Sequence, residues 1–358
     1  MSSDLPTLRW GTVATGLISS WFVQDLLLSR PNAEATHVIR AVGASSIDKA
    51  RAFADKYLTG QSVSAYGSYA HVYQDPAVDI VYIGTPHAFH RQNCLDSIAH
   101  GKHVLCEKPF ALNAREAREV FDAARAKGVF VMEAMWTRFF PLVRTLQRLV
   151  DIEWAIGDVR RVFCDFAMDM KLASLGPDSR LRNRALGAGT LLDVGIYSLT
   201  WGLLALEPEV GEQAERPSIV APQSLSEGID VATCMILQYA DGRQGVLTSA
   251  AFTKTPAAFC RIEGTGGVIV VEGFTASVPA SSTVRRPKAP GSAEMQHDKY
   301  EFERPGKGFY WAADAVAQSI AAGKTESDIM PWAETLRVLE MLDEVRRLGG
   351  ASFPQDAS

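Results

Sequence analysis

The chain has 358 residues, of which 47% are hydrophobic and 22% charged, and its formal net charge is −5. This length predicts two domains, and the acidic balance gives no electrostatic reason to expect a nucleic-acid partner. Five cysteines without metal-ligand spacing predict reduced thiols, a cytoplasmic location and no metal site. No apolar run reaches the roughly 18 residues of a membrane span, so we expect no membrane partner.

The first third of the chain alternates strand-like and helix-like patterns. Strands are predicted at residues 8–14, 36–44, 79–85, 103–107 and 129–133, and helices at 17–28, 48–57 and 92–100. A further helix is predicted between Asn113, which with Glu116 forms a capping-box-like pair, and Gly128, which follows its end. This alternation predicts a parallel sheet covered by helices on both faces, the Rossmann arrangement.

The pattern changes after Glu133. Strands are predicted at residues 159–169, 231–239, 244–252, 258–263 and 267–272, joined by short glycine turns that favour an antiparallel open sheet. Helices are predicted at 190–206, 310–322 and 332–348, and a surface loop at the Pro- and Ser-rich residues 279–292. We therefore predict an NAD(P)-binding Rossmann domain over residues 1–134 and a substrate-binding and dimerisation α+β domain over residues 135–358.

Two further expectations concern the second domain. The alternating residues of one predicted strand indicate an apolar face that helices cannot fully cover, and a homodimer that packs sheet on sheet; they are Val231, Thr233, Met235, Leu237 and Tyr239. Asp314 and Glu334 lie in the last two predicted helices, and we interpret them as solvated residues.

The first β–α turn has the character of a dinucleotide-binding turn. Such a turn lets backbone N–H groups at a helix start approach a pyrophosphate, and Gly16 supplies the close approach. Ala14 and Ser19 stand where the fingerprint usually has its first and last small residues. The motif alone is weak, but it follows the first strand and opens the first helix. We predict cofactor contacts at Gly16, Leu17 and Ile18.

The end of the second strand indicates which nicotinamide cofactor is used. An NAD enzyme usually places a carboxylate there to hold the ribose hydroxyls, whereas this chain has Ser45, Ser46 and, one helical turn on, Lys49. Two hydroxyls and an ammonium suit a 2′-phosphate, which favours NADP, with NAD as the alternative. Lys49 is equally well interpreted as a solvated helix residue.

The fourth strand ends in Thr85 and Pro86, with His90 nearby, at the sheet edge where ligands bind in such folds. For the histidine, a helix-start or surface imidazole is the alternative to a role in the site. The fifth strand ends in Glu107 and Lys108, and this placement brings the Lys108 ammonium to the nicotinamide region. A charged pair at the end of an apolar strand indicates a functional site, with a structural ion pair as the alternative.

The segment 187–197 carries the second candidate group. Asp193 and Tyr197 are four residues apart and are predicted to lie on one helix face. Gly195 between them costs about 1 kcal/mol in a helix interior, which indicates close packing against a neighbour.

At these residues the chain resembles the Gfo/Idh/MocA oxidoreductase family, most closely its branch of dihydrodiol dehydrogenases and NADP-dependent D-xylose 1-dehydrogenases. The resemblance runs nearly end to end, through residues 10–11, 16–20, 65–69, 107–109, 132–141, 192–197 and 353–356. The EKP and MEAMWTRFFP strings are specific, whereas the glycine turn is not.

The resemblance implies roles for particular residues. Lys108, Asp193 and Tyr197 match the family's catalytic positions, and the remaining matched residues would line the nicotinamide and substrate pocket; these are Trp136, Arg138 and Phe166. One departure concerns Ser45, because close relatives place an arginine there to grip the 2′-phosphate. The resemblance also implies a homodimer formed through the C-terminal sheet.

The expected reaction is hydride transfer between NADP(H) and a sugar or vicinal diol. Tyr197 would accept the hydroxyl proton, helped by the neighbouring Lys108 ammonium, which lowers the pKa of a phenol; the version with Lys108 as base is equally permitted. Two alternatives to the dehydrogenase are an aldose–aldose oxidoreductase with tightly bound cofactor and a non-catalytic NADP-sensing regulator. The intact Lys108, Asp193 and Tyr197 argue against the regulator, which needs none of them.

Overall fold

A computed structural model describes residues 5–289 and 291–357. The chain divides into two compact units. The first combines the residues up to Phe139 with Arg304–Thr335, and the second combines Phe140–Glu303 with the residues from Leu336 on. The predicted division at residue 134 differs from this, because the structure assigns 304–335 to the first unit.

The first unit contains a parallel sheet with the strand order β3-β2-β1-β4-β5-β6 within the described residues. Its strands are β1 (Thr7–Val13), β2 (Thr36–Gly43), β3 (Ser64–Tyr66), β4 (Ile80–Ile83), β5 (His103–Glu107) and β6 (Val131–Ala134). Its intervening helices are α1 (Leu17–Leu26), α2 (Ile47–Tyr57), α3 (Tyr69–Gln74), α4 (His90–Ala99) and α5 (Ala114–Lys127). Every residue of β4 and β6 is buried, as in a parallel sheet covered on both faces. The predicted Rossmann arrangement is confirmed.

Helix α5 shows how local sequence sets these boundaries. The Asn113 side chain accepts a hydrogen bond from the Glu116 backbone N–H at 2.9 Å, as the capping-box prediction requires. The Glu116 carboxylate reaches back one residue further than expected and accepts the Leu112 N–H at 3.2 Å. Gly128 ends the helix in the left-handed conformation, at φ 68°.

The second unit is built on a mixed, mainly antiparallel sheet with the described strand order β15-β14-β13-β12-β7-β11-β10-β8, and β9 also pairs with β10. Its strands are β7 (Val159–Ala167), β8 (Ser218–Val220), β9 (Gln223–Ser226), β10 (Ile229–Gln238), β11 (Gln244–Ala250), β12 (Ala258–Gly264), β13 (Gly267–Thr275), β14 (Val278–Pro287) and β15 (Met295–Glu301). Its helices are α6 (Pro141–Gln147), α7 (Ile196–Leu206) and, from Leu336 on, the helix Trp332–Gly349. The pair β7–β11 is parallel.

Helix α7 decides which face of this sheet is covered. It contacts β7 and β11, and all of its residues are buried. The alternating residues predicted to lie on an open face are on the covered side instead, since Met235, Leu237 and Tyr239 are buried. The half-exposed residues belong to the opposite face, where Ile236 pairs with Val246 and Val246 with Phe163 across the strands.

The predicted loop at residues 279–292 is largely wrong. Residues up to Pro287 belong to β14, which pairs with β13 on one side and β15 on the other. Both prolines of β14, Pro279 and Pro287, lie near its ends, where a missing N–H disturbs few ladder bonds. Pro290 of the predicted loop lies outside the described residues.

Residues 304–335 join the first unit through buried polar contacts. Asp25 on α1 accepts hydrogen bonds from the backbone N–H groups of Lys307, Gly308 and Phe309, at 2.6 to 3.0 Å. These residues lead into α8 (Phe309–Ala321). On α8, Asp314 pairs with Arg30 at 2.9 Å, and both side chains are buried. The interpretation of Asp314 as a solvated residue is therefore wrong.

Glu334 is buried as well, contrary to the same interpretation. It lies at the start of α9 (Trp332–Gly349), is completely buried and pairs with Arg138 at 2.5 Å. The sequence pattern of α9 resembles a solvated helix because charged residues recur along it, but a charge can be buried when an opposite charge is buried beside it.

The stretch 184–206 is long and apolar enough, by length and composition alone, to cross a membrane, although no such stretch was expected. Of its most apolar window, 89% is buried inside the protein, and buried core helices pass the same test. The apolar composition of this stretch therefore fits its place under the sheet.

We expect Glu334→Ala to lower the free energy of unfolding by about 3–5 kcal/mol, because the substitution leaves the Arg138 guanidinium buried without its carboxylate. Glu344→Ala is the matched control on the same helix, since Glu344 pairs with Arg347, whose side chain is 66% exposed, and its loss should cost no more than about 1 kcal/mol. Urea denaturation of both variants measures the difference. Equal losses would show that the buried pair does not hold this segment.

Candidate active site

The first β–α turn leaves a helix start open to a ligand. Gly16 caps α1 in an extended conformation, and a Cβ at that position would meet no atom within 4 Å. Leu17 is exposed and Ile18 half-buried in the first helical turn, which carries no acidic residue. Ala14 adopts a left-handed conformation, φ 75°, which explains why glycine is usual there. The unblocked N–H groups suit an anionic group such as a pyrophosphate.

The predicted cofactor-choice residues lie together at the end of β2. The Lys49 ammonium contacts the Ser45 hydroxyl at 3.1 Å, and both side chains are exposed. The Ser46 hydroxyl caps α2 by accepting the Lys49 backbone N–H at 3.4 Å. The arrangement presents one ammonium and one hydroxyl to solvent, while Ser46 is partly occupied by its helix.

His90 has a different environment from the one expected of a ligand-binding imidazole. It is fully buried, and its two ring nitrogens lie 2.8 Å from the carbonyl oxygens of Thr85 and Pro109. Thr85 is buried and Pro86 half-buried. Burial lowers the pKa of His90, while its contacts with the two carbonyls act in the opposite direction. The ring thus joins the turn after β4 to the turn after β5.

The turn that carries Lys108 is held by buried polar groups on neighbouring residues. Glu107 accepts the Tyr82 hydroxyl at 2.6 Å, and the Phe110 backbone N–H donates to Glu133 at 3.0 Å. Pro109 contacts His90 through its carbonyl, as described above. Lys108 itself is half-buried. The lysine therefore projects from a turn whose flanking residues are fixed.

Two of these supporting groups are carboxylates whose pKa lies well above its usual value. Burial raises the pKa of Glu107 to about 7, against the opposing effects of Tyr82 and Lys108. Burial likewise raises the pKa of Glu133 to about 7, against its hydrogen bonds with Thr335 and Phe110. Perturbed carboxylates concentrated in one place are typical of functional sites.

Trp136 and Arg138, predicted to line the pocket, are both buried in the first unit. The Trp136 ring stacks on Phe309 with centroids 4.1 Å apart, and Arg138 pairs with Glu334. The guanidinium is thus engaged with a structural partner at the start of α9, which the sequence prediction did not anticipate.

In the second unit, a buried carboxylate positions the helix that bears Asp193 and Tyr197. Asp230 on β10 accepts the Thr190 hydroxyl and the Leu191 backbone N–H, each at 2.7 Å. A carboxylate at this place satisfies N–H groups at the helix start and favours its dipole. The helix opens with a wide π-type turn, Leu191–Gly195, before α7.

The side chains of this helix have close neighbours within the second unit. Asp193 is half-buried and lies 3.3 Å from the exposed Arg180 guanidinium. The buried rings of Tyr197 and Phe166 have centroids 5.7 Å apart. A Cβ on Gly195 would lie 3.0 Å from the Ser249 hydroxyl, so the predicted close packing at Gly195 is confirmed.

Sequence reasoning missed the supporting residues rather than the candidate groups themselves. Tyr82 carried a usable signal, because a tyrosine in an otherwise apolar strand needs a hydrogen-bond partner for its hydroxyl when it is buried. Asp230 and Arg180 carried none, since neither stands at a recognisable motif and each acts on residues distant in the chain.

Family models match both parts of the chain. The oxidoreductase family model with the NAD-binding Rossmann fold matches residues 8–135, and the C-terminal domain model of the same family matches residues 143–270. The chain belongs to the Gfo/Idh/MocA oxidoreductase family. Its fold class is therefore that of the family, and the resemblance stated from the motifs is confirmed.

Full-length relatives with established names are similar to this chain. The D-xylose 1-dehydrogenase (NADP(+)) of Hypocrea jecorina is 34% identical, over 99% of this chain and 95% of that protein. The trans-1,2-dihydrobenzene-1,2-diol dehydrogenase of Sus scrofa is 35% identical, over 98% of this chain and 99% of its own length.

Solved structures share the fold at lower identity. The aldose-aldose oxidoreductase of Caulobacter crescentus, in complex with glycerol, matches with a TM-score of 0.79 at 21% identity, over 96% of this chain and 98% of that chain. A levoglucosan dehydrogenase in complex with NADH matches with a TM-score of 0.81 at 19% identity, over 96% and 97%.

Proposed function

We propose that this family member is an NADP-dependent dehydrogenase that oxidises a CH–OH group of a sugar or vicinal diol. The observation that carries the proposal is the fixed Lys108 turn, together with Asp193 and Tyr197, in a chain similar over its full length to dehydrogenases of both substrate types. D-xylose and trans-dihydrodiols of arenes are the two substrate classes to test first.

Residues of the first unit would hold the cofactor. The open helix start at Gly16 suits its pyrophosphate, and the Lys49 ammonium with the Ser45 hydroxyl suits a 2′-phosphate. Neither residue supplies the carboxylate that would favour the unphosphorylated ribose of NAD. The bound cofactor would supply the hydride acceptor.

Three side chains would handle the substrate hydroxyl. Tyr197 accepts the hydroxyl proton, the Lys108 ammonium stabilises the developing alkoxide, and Asp193 orients the substrate by accepting from a neighbouring hydroxyl. A phenol is a competent base near neutral pH only where a neighbouring cation lowers its pKa. The proton ends on the Tyr197 oxygen and passes to solvent after the hydride has left the carbon. In the role-swapped version, neutral Lys108 is the base and Tyr197 donates a hydrogen bond.

We expect purified protein with NADP⁺ and D-xylose, or a trans-dihydrodiol, to produce absorbance at 340 nm. Tyr197→Phe should lower kcat by roughly 10²- to 10⁴-fold, because general base catalysis contributes that much. Unchanged kcat and an unchanged pH profile in this variant would rule out Tyr197 as the base. Tight NADPH binding without turnover of any sugar or diol would favour the regulator.

Lys49→Ala is expected to raise the KM for NADP⁺ about tenfold and to leave the KM for NAD⁺ unchanged, because a charge-assisted contact with the 2′-phosphate is lost. Lys56→Ala is the control, since Lys56 is also exposed and lies on the same helix. Parallel losses with both cofactors would contradict the assignment of Lys49 to the phosphate.

We also propose a cytoplasmic homodimer, formed through the uncovered face of the second unit's sheet. The five cysteines are all free, as expected in a reducing compartment. On the uncovered face, one row of residues runs across neighbouring strands: Ile236, Val246, Phe163, Arg261 and Val270. Three apolar members of this row, Ile236, Val246 and Phe163, are partly exposed. A partly exposed apolar patch on a long sheet is typical of a subunit interface.

Phe163→Glu should convert the dimer to a monomer in size-exclusion chromatography with light scattering at micromolar concentration. The new carboxylate would lie between the Arg161 and Arg261 guanidinium groups, now 5.1 and 4.4 Å from the ring, so the isolated fold tolerates it. Ile152→Glu, at a 75% exposed position outside the row, should remain dimeric. A monomeric wild-type chain would refute the proposal.

A further inference from the structure

A buried tyrosine is hydrogen-bonded to the buried carboxylate that precedes the candidate catalytic lysine in the chain. Tyr82 on β4 is completely buried, and its hydroxyl donates to Glu107 Oε1 at 2.6 Å. Its ring stacks face to face on Phe22, with centroids 3.7 Å apart and planes inclined by 3°. Because the ring is clamped, its hydroxyl has a fixed position, and the carboxylate that receives it is fixed as well.

The Glu107 carboxylate also interacts with the next residue in the chain. The Lys108 backbone N–H donates to this carboxylate, and the Lys108 charge acts on it. One carboxylate therefore joins the Tyr82 hydroxyl to the peptide unit from which the Lys108 side chain projects. The other titratable groups around this turn are Cys106 on the same strand, His90 and Cys94 on α4 and Glu133 on β6.

We propose that Tyr82 is a positioning residue for Lys108, acting through the Glu107 carboxylate that both contact. The inference rests on the proposed function, since it concerns the lysine of that site. Tyr82 touches neither substrate nor cofactor in this role. Its hydroxyl keeps the carboxylate ionised and oriented, and the ionised carboxylate holds the Lys108 peptide unit and attracts its ammonium.

The ionisation of Glu107 makes this role measurable. Burial raises the pKa of Glu107 to about 7, and the Tyr82 hydrogen bond opposes that rise. A donor to a carboxylate stabilises its charged form, so removal of the donor raises the pKa further. Near neutral pH the variant would therefore carry a larger fraction of protonated Glu107 than the wild type, and well above pH 8 the two would again be alike.

The test compares Tyr82→Phe with the wild type at two pH values. The substitution removes the hydroxyl and keeps the ring that stacks on Phe22. If losing the hydrogen bond raises the pKa of Glu107 by about one unit, kcat/KM of the variant relative to wild type should fall about fivefold at pH 7 and return close to one at pH 9. Using the ratio at each pH removes the effect of every titration that the two proteins share.

Tyr239→Phe is the matched control. Tyr239 also donates a short buried hydrogen bond to a glutamate, Glu207, within the second unit. None of the hydrogen bonds that Glu107, Pro109 and Phe110 make with Tyr82, His90 and Glu133 involves Tyr239. Its relative kcat/KM should stay near one at both pH values even where its melting temperature falls as much as that of Tyr82→Phe. A merely structural role for Tyr82 would give the two variants the same pH-independent behaviour, which overturns the inference.

Glu107→Gln provides a second test if Tyr82→Phe does not fold. An amide does not titrate, so the relative kcat/KM of this variant should be lowest where wild-type Glu107 is ionised, at pH 9, and should move toward one as the pH falls below 7. A ratio that does not change with pH would contradict the proposed role of the carboxylate.

A spectroscopic arm separates failure of the inference from failure of the proposed function. Lysines are reductively dimethylated with ¹³C-formaldehyde and a borohydride reductant, and the Lys108 resonance is assigned by its loss in Lys108→Arg. In the wild type this resonance should shift with a midpoint near pH 7, and in Tyr82→Phe the midpoint should move upward. Wild-type protein without any turnover refutes the proposed function, while the same two titrations still decide the inference; coincident midpoints overturn it.

Discussion

The burial of carboxylates beside backbone N–H groups is the interaction on which this structure depends. Glu107 and Glu133 act at the Lys108 turn, Asp25 at the segment leading into α8, and Asp230 at the helix that bears Asp193 and Tyr197. Burial disfavours the charged form of each of these carboxylates, and hydrogen bonds to it offset part of that cost. A loop or helix end that moved away from its carboxylate would lose these hydrogen bonds and leave the cost of burial uncompensated. These carboxylates therefore hold their loops and helix ends in one conformation.

This way of fixing loops explains why there are few candidate catalytic residues and many buried residues that hold them in place. A dehydrogenase needs an acid–base group and a cation at a set distance from the reacting carbon, and small displacements are costly. Lys108 is half-buried, yet the residues on both sides of it are buried and bound. The flexible lysine side chain thus starts from a rigid backbone, which suits a group that must meet a developing charge.

The same principle explains how a discontinuous segment belongs to the first unit. Residues 304–335 return to it through Asp25, the Arg30–Asp314 pair and the Arg138–Glu334 pair, and through the stacking of Trp136 on Phe309. Trp136 and Arg138 belong to one of the strings most typical of the family. In this chain both side chains contact the returning segment, so part of the specificity of that string has a packing explanation.

The sequence by itself determined the Rossmann sheet, the boundaries of α5, the family and the candidate residues Lys108, Asp193 and Tyr197. These features depend on local signals. A buried strand has a run of apolar residues, a helix cap has a particular pair of residues, and a motif is a contiguous string. Tertiary structure alone decided which sheet face α7 covers, that residues 279–287 form a strand, and that Asp314 and Glu334 are buried. The physical reason is that a charge or an alternating strand has the same local pattern whether it meets water or a partner. The partner comes from residues far away in the chain, as Arg138 does for Glu334 and Tyr82 for Glu107.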